Sequence, residues 1–575
     1  MKDRRGRRGD GARWTRCPLL LLSTCVFFYG FVFSTSRLFF PGTFHPVPVI
    51  WRTAEMKAVS GQAPRPKIAI RETVIFPDQA LIFLRYPETV AALLVKDDVE
   101  CAYLAPNASH PQLKLPPLSL DGHFLRCPLF HFHPRRFSIS VALKPTAGGS
   151  AGSYGGYVVV PPKKPHVWNN VAYEALIDRD NTTLVFVKGL NLRPERAVDP
   201  TRLECAYGWD FSSPRFLLKS EVISAAQEIV RCRTPLSVLN KKGLDVKVSI
   251  RVKGRDVIPS MALPERRLEM GLDVGLMSWK EHEMCICTMV RNQARFLKEW
   301  VTYHARIGVG KWFIYDNNSD DDIESIVESL EKEGFRISKY LWPWIKTQEA
   351  GFAHCAMRAR GVCKWVGFID VDEFFHLPTG LTLHQVLGNR SMASNVVELR
   401  TSCHSFGPSG LKKLPPRGVM DGYTCRLRAP ERHKSIVKPE ALNTTLINVV
   451  HHFHVRAGLR YMNMNPNVIV INHYKYQVWE VFKEKFYRRV ATYVADWQAE
   501  ENVGSKDRAP GLGTRAVEPK DWSSRFCEVT DTGLRDRMLR MFEEGGTRLL
   551  PWMEGYGEQV RRRRKKRTSR RKGRG

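Results

Sequence analysis

Acidic residues are in short supply in this chain: 58 Asp and Glu stand against 89 Lys and Arg, a formal net charge of +31 over 575 residues. The shortage is local. Residues 561–575 hold eleven Lys and Arg and no acid, residues 1–16 hold seven against two Asp, and the body between keeps +15. Long apolar runs are just as rare. CPLLLLSTCVFFYGFVF, residues 17–33, is uncharged and sits near the short end of the roughly 17–25 residues that span a bilayer. No second run of that length and apolarity follows, which excludes a polytopic membrane protein. The basic flank predicts a cytosolic N-terminus, and STSRLFF offers no small-x-small cleavage site after the run. The expectation is a basic cytosolic tail over 1–16, a signal anchor in the lipid bilayer over 17–33, and the rest of the chain in a lumen. The polybasic end over 551–575 resembles a nuclear-import or nucleic-acid segment. Facing a lumen it is expected to be a solvated tail, with no nucleic acid as partner.

A paired cysteine motif is missing as well. Cys285-Ile-Cys287 has no partner pair, so it makes a poor zinc or redox centre, and two core thiols are expected there. Of the 13 cysteines, Cys17 and Cys25 lie in the apolar run; eleven remain, an odd number, so at least one is free or intermolecular. Asn107, Asn181, Asn317, Asn389 and Asn443 each open an N-glycan acceptor motif, which together with an anchor favours the secretory lumen.

What is present falls into blocks. Residues 34–66 are Pro-rich and aperiodic, a stem. From 67 to 265 the chain is strand-like: short β-rich runs such as ALIFLRYP, FSISVAL, TLVFVKGL and VKVSIRVKG alternate with Pro, Gly, Asn and Asp clusters. There is an internal echo: LIFLRYP, VECAY and FLRCPL (81–129) are answered by LVFVKGLN, LECAYGW and IVRCRTPL (184–236). The Cys101–Cys127 and Cys205–Cys232 spacings are 26 and 27, which suggests two related β-rich, sandwich-like modules over 67–150 and 151–265, each stapled by one disulfide.

From about 282 strand and helix alternate. EMCICTMV is a buried strand; Leu297, Trp300, Val301 and His304 follow at i, i+3, i+4, i+7, one face of a helix. GKWFIYD is the next strand, and Ile323, Ile326, Val327 and Leu330 form the next helical face, stopped by Gly334. FRISKYLW, TQEAGFAHCAMRAR and CKWVGFID continue the alternation. The result is an α/β domain over 280–550 with an open sheet, in which ligands bind beyond the carboxyl ends of the strands.

Chemistry concentrates at those ends. In WVGFIDVDEFFHLP an apolar strand stops at Asp370, with Asp372 and Glu373 close behind; unpaired, such acids are costly to bury. Two carboxylates aimed into one crevice suit a hard cation, Mg²⁺ or Mn²⁺, which would bridge phosphate oxygens of a nucleotide. Asp316 and Asn317 end the neighbouring strand, where ribose hydroxyls are held, although Ser319 and Asp320 in the same loop suit helix capping. Thr288 and Arg291 end the first strand, beside a uracil or a phosphate. His452 and His454 share a strand face, too few ligands for a zinc site. His473 follows an apolar strand, as the acids do, and could complete a cation's shell.

Taken together, CICTMVRN with LKEWVTYH, WFIYDNNSDD, AHC, WVGFIDVDEFF and INHY resemble the glycosyltransferase family 92, specifically its plant branch, over about residues 282–500. Within that family it resembles the plant β-1,4-galactan synthases. The resemblance implies a GT-A fold, an open mixed sheet flanked by helices. It implies a UDP-sugar donor, galactose above all, a cell-wall polysaccharide such as pectic galactan as acceptor, Mn²⁺ dependence, and inversion at the anomeric carbon. It also implies a Golgi type II membrane protein and a carbohydrate-binding-like second module. By motif, Asp370, Asp372 and His473 would hold the cation and Asp316 and Asn317 would lie by the nucleoside. Inversion needs a general base; Glu398 (NVVELRTS) and Glu431 (APERHK) are the candidates, with Glu373 in a supporting place. The alternative is a carbohydrate-binding membrane protein that keeps the fold without turnover. A phosphohydrolase with Asp370 as nucleophile is disfavoured by Phe374 four residues on. A homodimer is one assembly the sequence allows.

Overall fold

The computed structural model describes residues 68–266, 280–493 and 517–553, apart from 87–93, 107, 109, 130–137, 144–157, 191, 193–196, 212, 241–244, 390–391 and 543–548. The expected tail, anchor and stem over 1–66 and nearly all of the polybasic end lie outside the described residues. Among those described, no helix is long and apolar enough to cross a membrane.

Residues 69–266 form two β-sandwiches built on one plan. In the first, Ala69–Ile75 pairs antiparallel with Gln79–Arg85, which pairs with Phe124–Pro128. In the second, Ala172–Ile177 pairs with Thr182–Val187, which pairs with Ile229–Arg233. Each opening strand carries a register shift at the same place, Ile70/Glu72 and Ala172/Glu174, and each takes a short parallel partner further on. Cys101–Cys127 and Cys205–Cys232 are disulfides, each joining the two sheets of its sandwich. The echo in the sequence is therefore a repeated architecture.

The α/β half runs β1 (His282–Val290), α1 (Ala294–Arg306), β2 (Lys311–Asp316), α2 (Ile323–Lys332), β3 (Ile337–Leu341), α3 (Gln348–Ala359), β4 (Cys363–Phe368) and β5 (Glu373–His376). It continues with β6 (Val396–Ser405), β7 (Arg432–Val437), β8 (Arg460–Asn463), β9 (Val470–His473) and α4 (Trp479–Tyr493). These nine strands form one sheet, in the order β3-β2-β1-β4-β7-β6-β9-β5 with β8 on β6. β3, β2, β1 and β4 are parallel, β7 is antiparallel to β4, and the far half is mixed. β1, β2 and β4 are largely buried on both faces, as parallel strands require, and the edge strand β3 is half-buried. Leu297, Trp300, Val301 and His304 are all buried, as their spacing predicts, and Gly334, at φ +95°, ends α2.

Cys285 and Cys287 correct the expectation of core thiols. Cys285 is bonded to Cys363 on β4 and Cys287 to Cys355 on α3, partners 78 and 68 residues away. No local motif encodes such distances. Cys425–Cys527 is a fifth disulfide, and Cys403 is the free cysteine that the odd count requires.

The sandwiches are not loosely tethered. Val74, Phe83, Tyr173 and Phe186 share one core with Tyr315, Trp342, Trp344 and Phe352 of the α/β half. Asp178, between Arg231 at 2.9 Å and Arg360 at 3.1 Å, pairs charge across the same boundary.

Candidate active site

β1 and β4 pair only as far as Cys287–Phe368, yet β1 runs on to Val290. The chain from Ile369 to Asp372 thus leaves the sheet beside the tip of β1. It then turns, Glu373 N–H donating to the Asp370 carbonyl at 3.0 Å and Asp370 N–H to Glu373 Oε2 at 3.0 Å. Gly367 permits the fold-back: a Cβ there would lie 2.9 Å from Met284 and 3.3 Å from Phe375. Beyond the turn Glu373 on β5 sits opposite His473 on β9, and His473 lies beside Ser405 on β6. Cross-strand partners share a face, so these side chains converge. They line a cavity of about 560 Å³ together with Arg291, Asn317, Asp370, Asp372, Glu431, Lys434, His451, Lys475 and Lys485.

Inside it acidic and basic side chains alternate along a string. Asp370 Oδ2 lies 3.3 Å from Lys434 Nζ, which is 2.8 Å from Glu373 Oε1. Glu373 Oε1 is 3.5 Å from His473 Nδ1, His473 Nε2 is 3.4 Å from Asp372 Oδ2, and Lys485 pairs with Asp372. His451 flanks the first pair, with Nε2 2.5 Å from Lys434 Nζ and Nδ1 2.8 Å from the Phe368 carbonyl. Because an ammonium only donates, Nε2 accepts and Nδ1–H donates to the carbonyl, a neutral imidazole.

The protonation states follow. Burial alone would raise Asp370, yet the Lys434 ammonium above all brings it down to about 2. Asp372 is likewise held well below the carboxylate range by Lys485 against the cost of burial. Burial pushes Glu373 up to about 7, the two aspartates adding to the effect and Lys434 opposing it. Burial lowers His473 to about 4 and His451 to about 3, so both are unprotonated nitrogen donors near neutrality.

Of the expected ligands, Asp372 and His473 are brought together, while Asp370 lies at the other end of the string with Lys434. The tightest group of potential ligands among the described residues is Glu373, Cys403 and His473, their donor atoms within 4.8 Å of one another. Arg291 and Asn317 line the cavity; Asp316 and Thr288 do not. Asp316 instead accepts the Ser319 N–H at 3.0 Å, and Thr288 is fully buried on the face of β1 turned to the core. Asn317 donates to the Trp342 carbonyl at 2.7 Å and is buried, which removes it as a glycan acceptor in the folded chain. Glu398 is buried and engaged by Arg400 at 3.0 Å and Ser435 at 2.6 Å, outside the cavity, so it is withdrawn as a general base. Glu431 lines the cavity, accepting from Ser405, Lys475 and Tyr476. His452 bonds Ser435 at 2.6 Å and the His433 carbonyl, a structural role.

Lys434, Lys485 and His451 are the site residues that sequence reasoning missed. His451 had a trace: with His452 and His454 on one strand face, the histidine between phases had to point elsewhere. The lysines had none, since a lysine in sequence is most often solvated. A hollow of about 700 Å³ on the first sandwich, lined by Tyr86, Arg85 and Lys163 among others, has no carboxylate or histidine among its described lining residues.

Comparison with known proteins fits this geometry. The family model of glycosyltransferase family 92 matches residues 280–504. A glycosyltransferase family 92 protein of Ricinus communis is 58% identical over 96% of this chain and 100% of its own length. The chain belongs to glycosyltransferase family 92. Another family 92 protein, of Oryza sativa subsp. japonica, is 48% identical over 91% of this chain and 92% of its own length, and one of Arabidopsis thaliana is 43% identical over 86% of each. Among solved structures, S. aureus TarS aligns over 36% of this chain and 65% of its own at 11% identity and a TM-score of 0.21. The mannosyltransferase PcManGT of Pyrobaculum calidifontis, in complex with GDP-Man and Mn²⁺, covers 39% and 66% at 11% identity and 0.22. Likenesses this distant add nothing to the topology described above.

Proposed function

We propose that this family 92 glycosyltransferase moves a sugar, galactose first among candidates, from a UDP-sugar to a cell-wall polysaccharide such as pectic galactan, with inversion. The observation that carries the reading is the alternating string at the carboxyl ends of β1 and β4. Two ionised aspartates, a neutral imidazole and two lysines meet in one cavity. A GT-A arrangement is the reading of the parallel β3-β2-β1-β4 half joined to a mixed half.

The donors fit a divalent cation. Asp372 offers a hard oxygen and His473 an unprotonated nitrogen, a pair that suits Mn²⁺ or Mg²⁺, and Asp370 would join them on releasing Lys434. Asp372 Oδ2 and His473 Nε2, 3.4 Å apart, are close to the spacing of neighbours in one ion's shell. A bound cation would act as a Lewis acid toward the departing diphosphate. Lys485, on a flexible stem, must give way at Asp372, and its ammonium then faces the same phosphates, as do Lys434 and Arg291. Asn317 borders the nucleoside, with Asp316 shaping its loop. Glu431 takes the proton of the acceptor hydroxyl; Lys475 and Ser405 hold its carboxylate ionised, and its pKa is lowered by them against burial. The five disulfides support a lumenal catalytic domain, with residues 17–33 as the anchor in a Golgi membrane.

The test is a transfer assay of the full-length protein with Mn²⁺, a panel of UDP-sugars and galacto-oligosaccharide acceptors. Transfer from UDP-galactose is expected. Folded protein that neither transfers sugar nor releases UDP with any donor would overturn the reading.

A further inference from the structure

The two sandwiches present the same side chain to two different walls of the cavity. In each, an arginine stands one residue before the second half-cystine: Arg126 before Cys127, Arg231 before Cys232. Both are buried, 7% and 2% exposed, and both reach out of their own module. Arg126 donates to the Ser319 carbonyl at 2.9 Å and to the Asp320 carboxylate at 2.7 Å, in the loop after β2. That loop is further tied to the tip of β1, Asn292 N–H donating to Ser319 Oγ at 3.0 Å and Asp320 N–H to Asn292 Oδ1 at 2.7 Å. It carries Asn317 into the cavity.

Arg231 Nε donates to the Thr444 carbonyl at 3.1 Å, while its other end holds Asp178 at 2.9 Å and Thr182 at 2.6 Å. Thr444 opens the segment that ends in His451. The turn just before Arg231 adds a second hold: Gln227 donates to the Asn448 carbonyl at 2.7 Å and accepts the Asn448 N–H at 3.4 Å. Between and beside these anchors Leu446 and Val450 take φ of +55° and +57°. For a β-branched residue such a conformation is strained and persists only where the surroundings over-determine it. His451, the next residue, is the one that touches Lys434 and the Phe368 carbonyl.

We propose that the duplicated sandwiches act as braces for the transfer site. Arg126 positions the wall bearing Asn317, and Arg231 with Gln227 positions the wall bearing His451 and, through it, Lys434 and Asp370. Fusing two such modules to the catalytic half then serves the geometry of the cavity, whatever else their outer surfaces bind. The kinetic half of the test rests on the transfer reading above; the structural half does not.

The experiment is hydrogen–deuterium exchange on the full-length protein, paired with transfer kinetics. Arg231→Gln would strip buried Asp178 of a partner and endanger the fold, so Gln227→Ala carries the test of the histidine wall. Gln227→Ala should speed exchange of segment 443–452 by about tenfold, the scale of the short 2.7 Å bond, to which the 3.4 Å contact adds little. Segments 182–187 and 317–322 should stay unchanged. kcat should fall several-fold at constant donor KM, and Gln227→Lys, which keeps a donor for the Asn448 carbonyl, should restore part of it. Arg126→Gln should do the converse, loosening 317–322 and raising donor KM while leaving 443–452 as it was. Either variant leaving its own wall unchanged, or either loosening both walls alike, overturns the brace. If the wild type transfers no sugar from any donor, the transfer reading fails alone, and the exchange pattern still decides this proposal.

Discussion

The tips of β2 and β4 look alike in sequence: WFIYD and WVGFID each run apolar into an aspartate at the end of a parallel strand. The fold treats them in opposite ways. Asp316 bends back on its own loop, takes the Ser319 N–H and lies outside the cavity. Asp370 and Asp372 find no such backbone donors for their carboxylates among the described contacts; lysines and histidines from β7, β9 and α4 surround them instead. An acid satisfied by local N–H groups is part of a turn, whereas an acid satisfied by removable cations is a place where another cation or a phosphate-bound one can be exchanged in.

The strongest way to break that contrast is at Asp372. Asp372→Asn should lower sugar transfer by at least about 100-fold, as loss of a ligand or of its immediate support does, with the circular-dichroism melt still cooperative. A variant within threefold of wild type would remove Asp372 from the chemistry.

Lys434 tests the same idea through stability. It is the shared partner of Asp370 and Glu373, 7% exposed, and its burial is offset by those two acids. Lys434→Met leaves buried carboxylates without a cation, which should cost roughly 3 kcal/mol. Added Mn²⁺ should then recover part of the lost Tm in the variant more than in the wild type. A variant as stable as wild type, with no metal-dependent gain, would mean that the acids need no cation at all.

Glu398 supplies a control away from the cavity. Burial would raise it, yet His452, Arg400 and Ser435 hold it down to about 2. A carboxyl whose folded-state pKa lies below its unfolded value stabilises above the unfolded value, and the benefit is lost as pH falls through the folded one. Glu398→Gln should therefore cost roughly 3 kcal/mol at pH 7, with the difference from wild type closing between about pH 4.5 and 2. Urea unfolding at pH 7 and pH 3 measures it; a gap that stays constant with pH would show that packing, not charge, is what the glutamate provides.

Much of this was legible in the sequence where periodicity or repetition carried it. The buried face of α1, the strand endings, the echo of the two sandwiches and the paired acids all follow from local pattern. What was not legible came from distant partners. Cys285 and Cys287 looked like core thiols because Cys363 and Cys355 lie far along the chain. Lys434 and Lys485 left no signal in the sequence, because only the curl of the mixed half, through β7 and α4, carries them to the acids. Glu398 looked available as a base until the β6–β7 pairing set Ser435 against it, with His452 held on Ser435.

Asp316 makes the smallest and sharpest test. In Asp316→Asn the amide oxygen still accepts the Ser319 N–H, so the turn should keep its shape and its effect on stability should stay under about 1 kcal/mol. Burial already raises the Asp316 carboxyl, Ser319 pulling the other way, so losing the charge removes an unfavourable burial as well as an ion–dipole contact. The two changes oppose each other, and donor KM should move by no more than about threefold. A loss comparable to that of Asp372→Asn would mean that Asp316 swings out to meet the nucleoside, and that the tips of β2 and β4 share one task after all.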